Sequence, residues 1–368
     1  MKQDKKKGLL ISHSSGAAGA EVVFEEVVKS LGAAGAVTVM YPNSALLFPL
    51  KRMPSEDGVE KICGFYKLFG NSVLRVVVKF IATFPTILYV LLQLRWKEFG
   101  YVYVNSSLNW FGLFVAILKK KKCYLHFHEL PNDSETYIDK KLDWLFSVLI
   151  SLSKAHCIFI SREMECYWRD RIPAIQSSTV IYNPAKNLYS QQCNSDGYVY
   201  GFAGTLYERK NVALLIRCFS AVAKKYSNVS LVIAGSGPQL DELKLLAEQC
   251  GVSHLVEFIG AVNNIQCFFE RIHCFILPSL AEAMPLVAVE AMIVGRVSIV
   301  TDRCSLNEIF DDGKHCFYFS PGDPGALIDL MSKAYEGVLD YVSEEAKNRA
   351  SATSSNIVFR EKLYEVVG

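Results

Sequence analysis

A chain of 368 residues, 51% of them apolar, exceeds what one hydrophobic core usually fills, so two domains are expected and the disordered and collagenous classes are excluded. Thirty-nine basic and 37 acidic residues nearly cancel, so overall charge gives no argument for nucleic acid. The 11 cysteines form no C-x-x-C pair, which argues against a zinc ribbon or thioredoxin-type site; in runs such as "KCYL" and "HCFIL" they read as small buried hydrophobes in a reducing compartment.

After the "KKK" of residues 5–7, only four apolar residues precede polar ones, too few for a signal-peptide core. Strand candidates in the first half are 8–14, 37–41, 101–106, 123–128, 156–161 and 179–183. Helical spacing separates them, as in "AEVVFEEVVKSL", where Val22, Val23, Glu25, Glu26 and Val27 make a two-sided stripe. The longest apolar tract, 73–94, is broken by Arg75, Lys79 and Pro85, so it reads as a long helix, buried or membrane-facing, and not as a span. The "KKKK" of 119–122 reads as a solvated loop end. The polar stretch 183–197 is the linker candidate, and after it the pattern restarts with strands at 198–204, 229–235, 256–260, 274–279, 297–301 and 316–321. Residues 338–367 are charged, helical and free of strand signals.

Continuous β-branched strands alternating with helices predict parallel sheets covered on both faces. The expected fold is α/β: two tandem Rossmann-like, doubly wound domains, 1–185 and 186–344, facing a cleft, with a helix at about 345–368 packing back on the first. Such sheets bind ligands beyond the carboxyl ends of their strands, so the candidate residues are sought in those loops.

Five loops qualify. In "SHSSGAAGAE" (12–21), Gly16 and Gly19 permit close backbone approach at a helix start that favours an anion. In "HFHELP", His128 is nearer the strand's carboxyl end than His126. In "GFAGTLYERKN" (201–211), Arg209 and Lys210 sit where a helix begins, and cations there oppose the helix dipole unless an anion answers them. "AGSGP" (234–238) is a tight turn built on Gly235 and Gly237. In "PSLAEAMPLVAVEAMIVG" (278–295), Pro285 marks the N1 region of a helix, with Glu282 in the loop before it and Glu290 inside it. The amides of Met284, Leu286 and Val287 are the expected anion donors between two carboxylates. A ligand with phosphate at its centre and hydroxyls at both ends, a nucleoside diphosphate sugar, fits that order.

Together these residues resemble the retaining GT-B glycosyltransferases, in particular glycosyltransferase family four, over nearly the whole chain and most strongly over 198–330. Glu282 and Glu290 match that family's Glu–seven residues–Glu motif, whose first carboxylate contacts donor-sugar hydroxyls and whose second holds the ribose. "GTLYERKN" matches its basic loop, with Lys210 on the diphosphate lysine; "FIGAV", ending at Val262, matches the segment lining the base. "AGAE" (18–21) matches the Gly-Gly-Ala-Glu loop, His128 the cleft histidine and Glu308 a glutamate after the next strand. The chain departs at Thr205, where the family has a basic residue, at Ala18, and at "CSLN" in place of a Gly-Gly pair.

The resemblance implies a metal-independent, retaining transfer of a hexosyl unit from a nucleoside diphosphate sugar, with no cofactor. His128, Glu282 and Lys210 are the expected catalytic residues. Gly19, Arg209, Lys210, Gly235, Val262, Glu282, Met284, Pro285, Leu286, Val287 and Glu290 are the expected donor-binding set. A glycan or polyprenyl-linked acceptor would meet the first domain, beside the basic, apolar 73–97 region, at the cytoplasmic face of an acidic membrane, in O-antigen or capsule synthesis. No nucleic-acid partner is expected. The alternatives are a GT-B nucleotide-sugar 2-epimerase and a non-catalytic sugar-nucleotide-binding scaffold.

Overall fold

Parallel strands run through both halves of the chain. The computed structural model describes residues 7–12, 19–42, 51–56, 59–64, 88, 90–106, 110–128, 143–186, 188–189 and 196–368. They fall into two compact units, Met1–Asn183 with Phe359–Gly368, and Pro184–Val358.

The first unit holds β1 (Lys7–Ile11), β2 (Val37–Pro42), β3 (Lys51–Glu56), β4 (Val59–Gly64), β5 (Phe99–Asn105), β6 (Lys122–Phe127), β7 (His156–Phe159) and β8 (Ser178–Val180). They form one sheet in the order β3-β4-β2-β1-β5-β6-β7-β8. Every neighbouring pair is parallel except β3 with β4. These two strands correct the expectation of a purely parallel sheet. "KRMPSE", the edge strand β3, carries charges and Pro54 where central strands carry β-branched runs, as suits a sheet edge. The signal that identifies them is Asp57-Gly58, a two-residue hairpin dipeptide between Glu56 and Val59, which pair across the strands.

Among the described residues the helices beside this sheet include α1 (Gly19–Ala34), α2 (Trp110–Lys119), α3 (Asp143–Ser153) and α4 (Arg162–Arg171). Helix α1 buries Val23, Phe24, Val27, Val28 and Leu31, a single helical stripe, while Glu25 is exposed. The two-sided stripe expected from Val22, Glu25 and Glu26 therefore gives way to a one-sided stripe rotated onto Phe24 and Leu31. The Arg171 guanidinium clasps Asp143 through Nε at 2.8 Å and Nη2 at 2.6 Å, which ties the end of α4 to the start of α3. The 73–94 tract lies outside the described residues apart from 88 and 90–94. No described helix is long and apolar enough to cross a membrane.

The second unit holds β9 (Tyr198–Ala203), β10 (Val229–Ala234), β11 (Val256–Gly260), β12 (Cys274–Leu277), β13 (Val297–Thr301) and β14 (Phe317–Phe319). All pairs are parallel and the order is β11-β10-β9-β12-β13-β14. The chain therefore winds outward from β9 one way, then returns and winds the other way from β12. Loops after β9 and β12 diverge at this reversal, where doubly wound sheets take their ligands. Helices α5 (Val212–Lys225), α6 (Leu240–Gln249), α7 (Ile265–Phe269), α8 (Leu286–Ile293), α9 (Pro324–Tyr335) and α10 (Ser343–Thr353) cover it. Val212, Leu215, Ile216, Phe219 and Val222 form the buried stripe of α5.

The chain enters this unit under tight backbone control. The Ala185 amide donates to Ser354 O at 2.8 Å. Buried Gln266 grips Tyr189 twice, accepting from its amide at 3.3 Å and donating to its carbonyl at 2.9 Å. Helix α10 packs on α8 within the second unit. The last helix, α11 (Asn356–Val367), enters the first unit from Phe359 onward. There the Tyr364 hydroxyl donates to Ser30 O at 2.6 Å, and Arg360 lies 3.5 Å from Glu26.

Candidate functional site

The sequence candidates divide between the units: Gly19 and His128 lie in the first, all the others in the second.

In the second unit, β9 ends at Ala203 and a 3₁₀ turn, Glu208–Lys210, precedes α5. Asn211 closes that turn in the left-handed region, φ 52°, where asparagine is better tolerated than most residues. Its side chain donates to Pro278 O at 3.2 Å, and Arg209 O accepts from the Leu280 amide at 2.8 Å. The loop after β9 is thereby sewn to the loop after β12. This brings Lys210 Nζ to 2.5 Å from Glu282 Oε1, with Arg209 Nη1 at 3.6 Å from Oε2 and donating to Ala281 O at 2.9 Å. Glu282 is 8% exposed. A carboxylate so buried needs a cation, and two are supplied. Thr205 itself is exposed.

The backbone of Glu282 is held from its other side. Its amide donates to Arg303 O at 2.8 Å, and the Ser305 amide donates to Ala283 O at 3.1 Å. "CSLN" thus runs beside the Glu282 loop as a short parallel bridge, and Glu308 ends the 3₁₀ turn that follows.

Helix α8 starts at Leu286. Pro285 is its N-cap and not its first helical residue, with an extended ψ of 99°. The difference follows from its carbonyl, which accepts from Ala288 at 3.1 Å as an N-cap carbonyl does. Met284 is buried. Among the described residues the amides of Met284, Leu286 and Val287 have no acceptor, as an anion-binding helix start requires.

Glu290, 6% exposed, lies on the following turn. Lys186 acts on it through its charge and its backbone amide, a proximity absent from the sequence reading because linker residues carry no periodicity. Burial pushes its carboxyl up to about 7, against the opposing pull of the Lys186 charge and amide. A folded pKa raised above the unfolded one gives stability that is full below pH 4.5 and declines as pH rises to about 7. Glu290→Gln is therefore expected to match the parent near pH 4 and to exceed it by about 1–3 kcal/mol at pH 8 in urea denaturation.

The glycine turn completes this face. Gly235 has φ +147°, and a β-carbon there would meet Gly204 O at 1.8 Å. The Gly235 amide donates to Gly260 O at 2.7 Å, which joins the turn after β10 to "FIGAV" and its half-buried Val262.

In the first unit, Gly19 opens α1; a β-carbon at that position meets nothing within 4 Å, so packing of the described residues does not demand glycine. Residues 13–18, including Gly16 and Ala18, lie outside the described residues. His128 follows β6, with Nε2 at 2.8 Å from Asn105 Oδ1 at the end of β5. Its ring centroid lies 4.0 Å from that of His126. His126 is fully buried, 2.7 Å from the Tyr103 hydroxyl, and burial lowers its pKa to about 3, so it stays neutral. Asn105 escaped the sequence reading, although a polar residue closing the apolar strand "YVYVN" is a signal of its own. Among the described residues no group of three or more His, Cys, Asp or Glu forms a metal-binding cluster.

Residues 186–351 match the family described as glycosyl transferases group 1. An uncharacterized glycosyltransferase of Haemophilus influenzae is 36% identical over 102 residues, 28% of this chain and 29% of that protein. The O-antigen biosynthesis glycosyltransferase WclY of Escherichia coli is 26% identical over 203 residues, 52% of this chain and 53% of that protein. The chain thus spans less than two thirds of the length of either relative. The crystal structure of Anabaena Alr3699/HepE in complex with UDP and glucose shares the fold, with a TM-score of 0.79 at 18% identity over 98% of this chain and 99% of that one. Two Rossmann-like units of the GT-B fold make up this chain, and its likeness to the glycosyl transferases group 1 family covers residues 186–351, less than half of its length.

Proposed function

We propose that the protein transfers a hexosyl unit from a nucleoside diphosphate sugar, with retention at the anomeric carbon and without a metal, to a glycan or lipid-linked acceptor in cell-envelope polysaccharide assembly. The observation that carries this reading is the part-buried Lys210–Glu282 pair where the second sheet reverses direction, just before the start of α8, where the amides of Leu286 and Val287 have no acceptor among the described residues. The diphosphate rests on those amides, and Lys210 turns toward it from Glu282. As the bond between anomeric carbon and phosphate oxygen stretches, negative charge grows on the leaving diphosphate. The cation and aligned amides hold that charge more strongly in the transition state than in the ground state. Glu282 then accepts from sugar hydroxyls, and Glu290 from the ribose. His128 is the catalytic histidine of this reading. The fold shared with a protein solved with UDP and glucose favours a uridine nucleotide. The O-antigen relative supports an envelope glycan as acceptor.

The test is turnover of a panel of UDP- and GDP-sugars with and without membrane extract. Release of nucleotide that needs the extract, with an α-anomeric product from an α-linked donor, is the expected result. Interconversion of the sugar alone would instead establish an epimerase. Binding with no turnover under any pairing would establish a scaffold.

A further inference from the structure

One buried amide joins two parts of the first unit that the sequence reading treats separately. Asn105 closes β5, which lies between β1 and β6 in the sheet. It is wholly buried. Its Oδ1 lies 2.8 Å from His128 Nε2, just past β6, and its Nδ2 donates to Ala20 O, in the first turn of α1, at 3.5 Å.

The chemistry of the two partners fixes which end of the amide faces which. A backbone carbonyl only accepts, so Nδ2 faces Ala20. The oxygen then faces His128, and an oxygen only accepts. The ring nitrogen opposite it must carry the proton. A chain of single-role groups, carbonyl to amide to imidazole, thus selects one histidine tautomer from outside the ring.

We propose that Asn105 is a positioning residue for His128, holding its imidazole in the Nε2–H form and in one orientation relative to the start of α1. The inference rests on the proposed role of His128 in transfer only for its effect on rate; the tautomer itself is independent of that role. Asn105 touches no reacting atom. Its contribution is to keep the ring from flipping or exchanging tautomers when a donor sugar arrives. A hydrogen bond to a fixed amide does this without adding charge, which a carboxylate in the same place would.

The experiment is nitrogen NMR of the full chain labelled with ¹⁵N-histidine, with the His128 signals assigned by loss in His128→Gln. The expected wild-type result at neutral pH is a protonated Nε2 and a bare Nδ1. In Asn105→Leu the Nε2–H fraction should fall toward that of free histidine, and kcat should fall about 10- to 100-fold, while donor KM stays within about threefold. Asn105→Asp retains an acceptor and should retain the tautomer. A wild-type His128 protonated at Nδ1 overturns the proposal with no variant needed, and so does an unchanged tautomer in Asn105→Leu. If the tautomer behaves as expected but His128→Gln leaves turnover intact, the positioning stands and the role assigned to His128 fails.

Discussion

Lys210→Ala is expected to lower kcat/KM for nucleotide-sugar turnover by about 100- to 1,000-fold, the usual cost of removing one group that meets developing charge. The same substitution should destabilise the second unit by about 3 kcal/mol, the cost of breaking a buried pair while one charge remains. Arg209, 3.6 Å away, offsets part of that loss. The two effects are separable. Lys210→Met combined with Glu282→Leu removes both buried charges, and such replacements are often neutral for stability. The double variant should therefore melt near the parent's temperature yet stay inactive. Recovery of turnover in the double variant would show that Lys210 serves only to neutralise Glu282, and the catalytic reading of the pair would fall.

The second large effect is structural. Gly235→Ala should destabilise the second unit by about 3 kcal/mol or more, because strained φ and steric overlap act together. The clash is with a backbone carbonyl, Gly204 O at 1.8 Å, which cannot rotate away as a side chain would. Gly260→Ala is the matched control. It too has positive φ, +71°, but its β-carbon would enter open space, so about 1 kcal/mol is expected. Proteolysis in rising urea, with fragments mapped to residues 184–358, distinguishes the two variants. Equal losses would mean that the turn after β10 relaxes freely and does not shape the site.

The second unit was legible in the sequence because its strands are buried on both faces and read as continuous apolar runs: "VSLVIA" and "VSIVT" have no other plausible use. The loops of Lys210 and Glu282 were legible because charges stand out against such neighbours. Their mutual pairing was not, since it depends on backbone stitches such as Leu280 to Arg209, and the amide of one residue resembles that of any other. The edge hairpin β3–β4 went unseen because an edge strand needs charge and proline to resist further pairing, the features that make it look like a loop. Lys186 beside Glu290 was hidden for a related reason: it acts partly through its main-chain amide.

The return of residues 359–368 to the first unit bears on the order in which the protein is made. Domains usually fold as they leave the ribosome, the N-terminal one first. Here the first unit lacks residues 359–368 until everything in 184–358 has already been synthesised. The second unit is thus the first that can be complete. The Ser30 carbonyl waits until residue 364 has been added for the Tyr364 hydroxyl that caps it. A stop codon just before residue 359 would leave the second unit whole and the first unfinished.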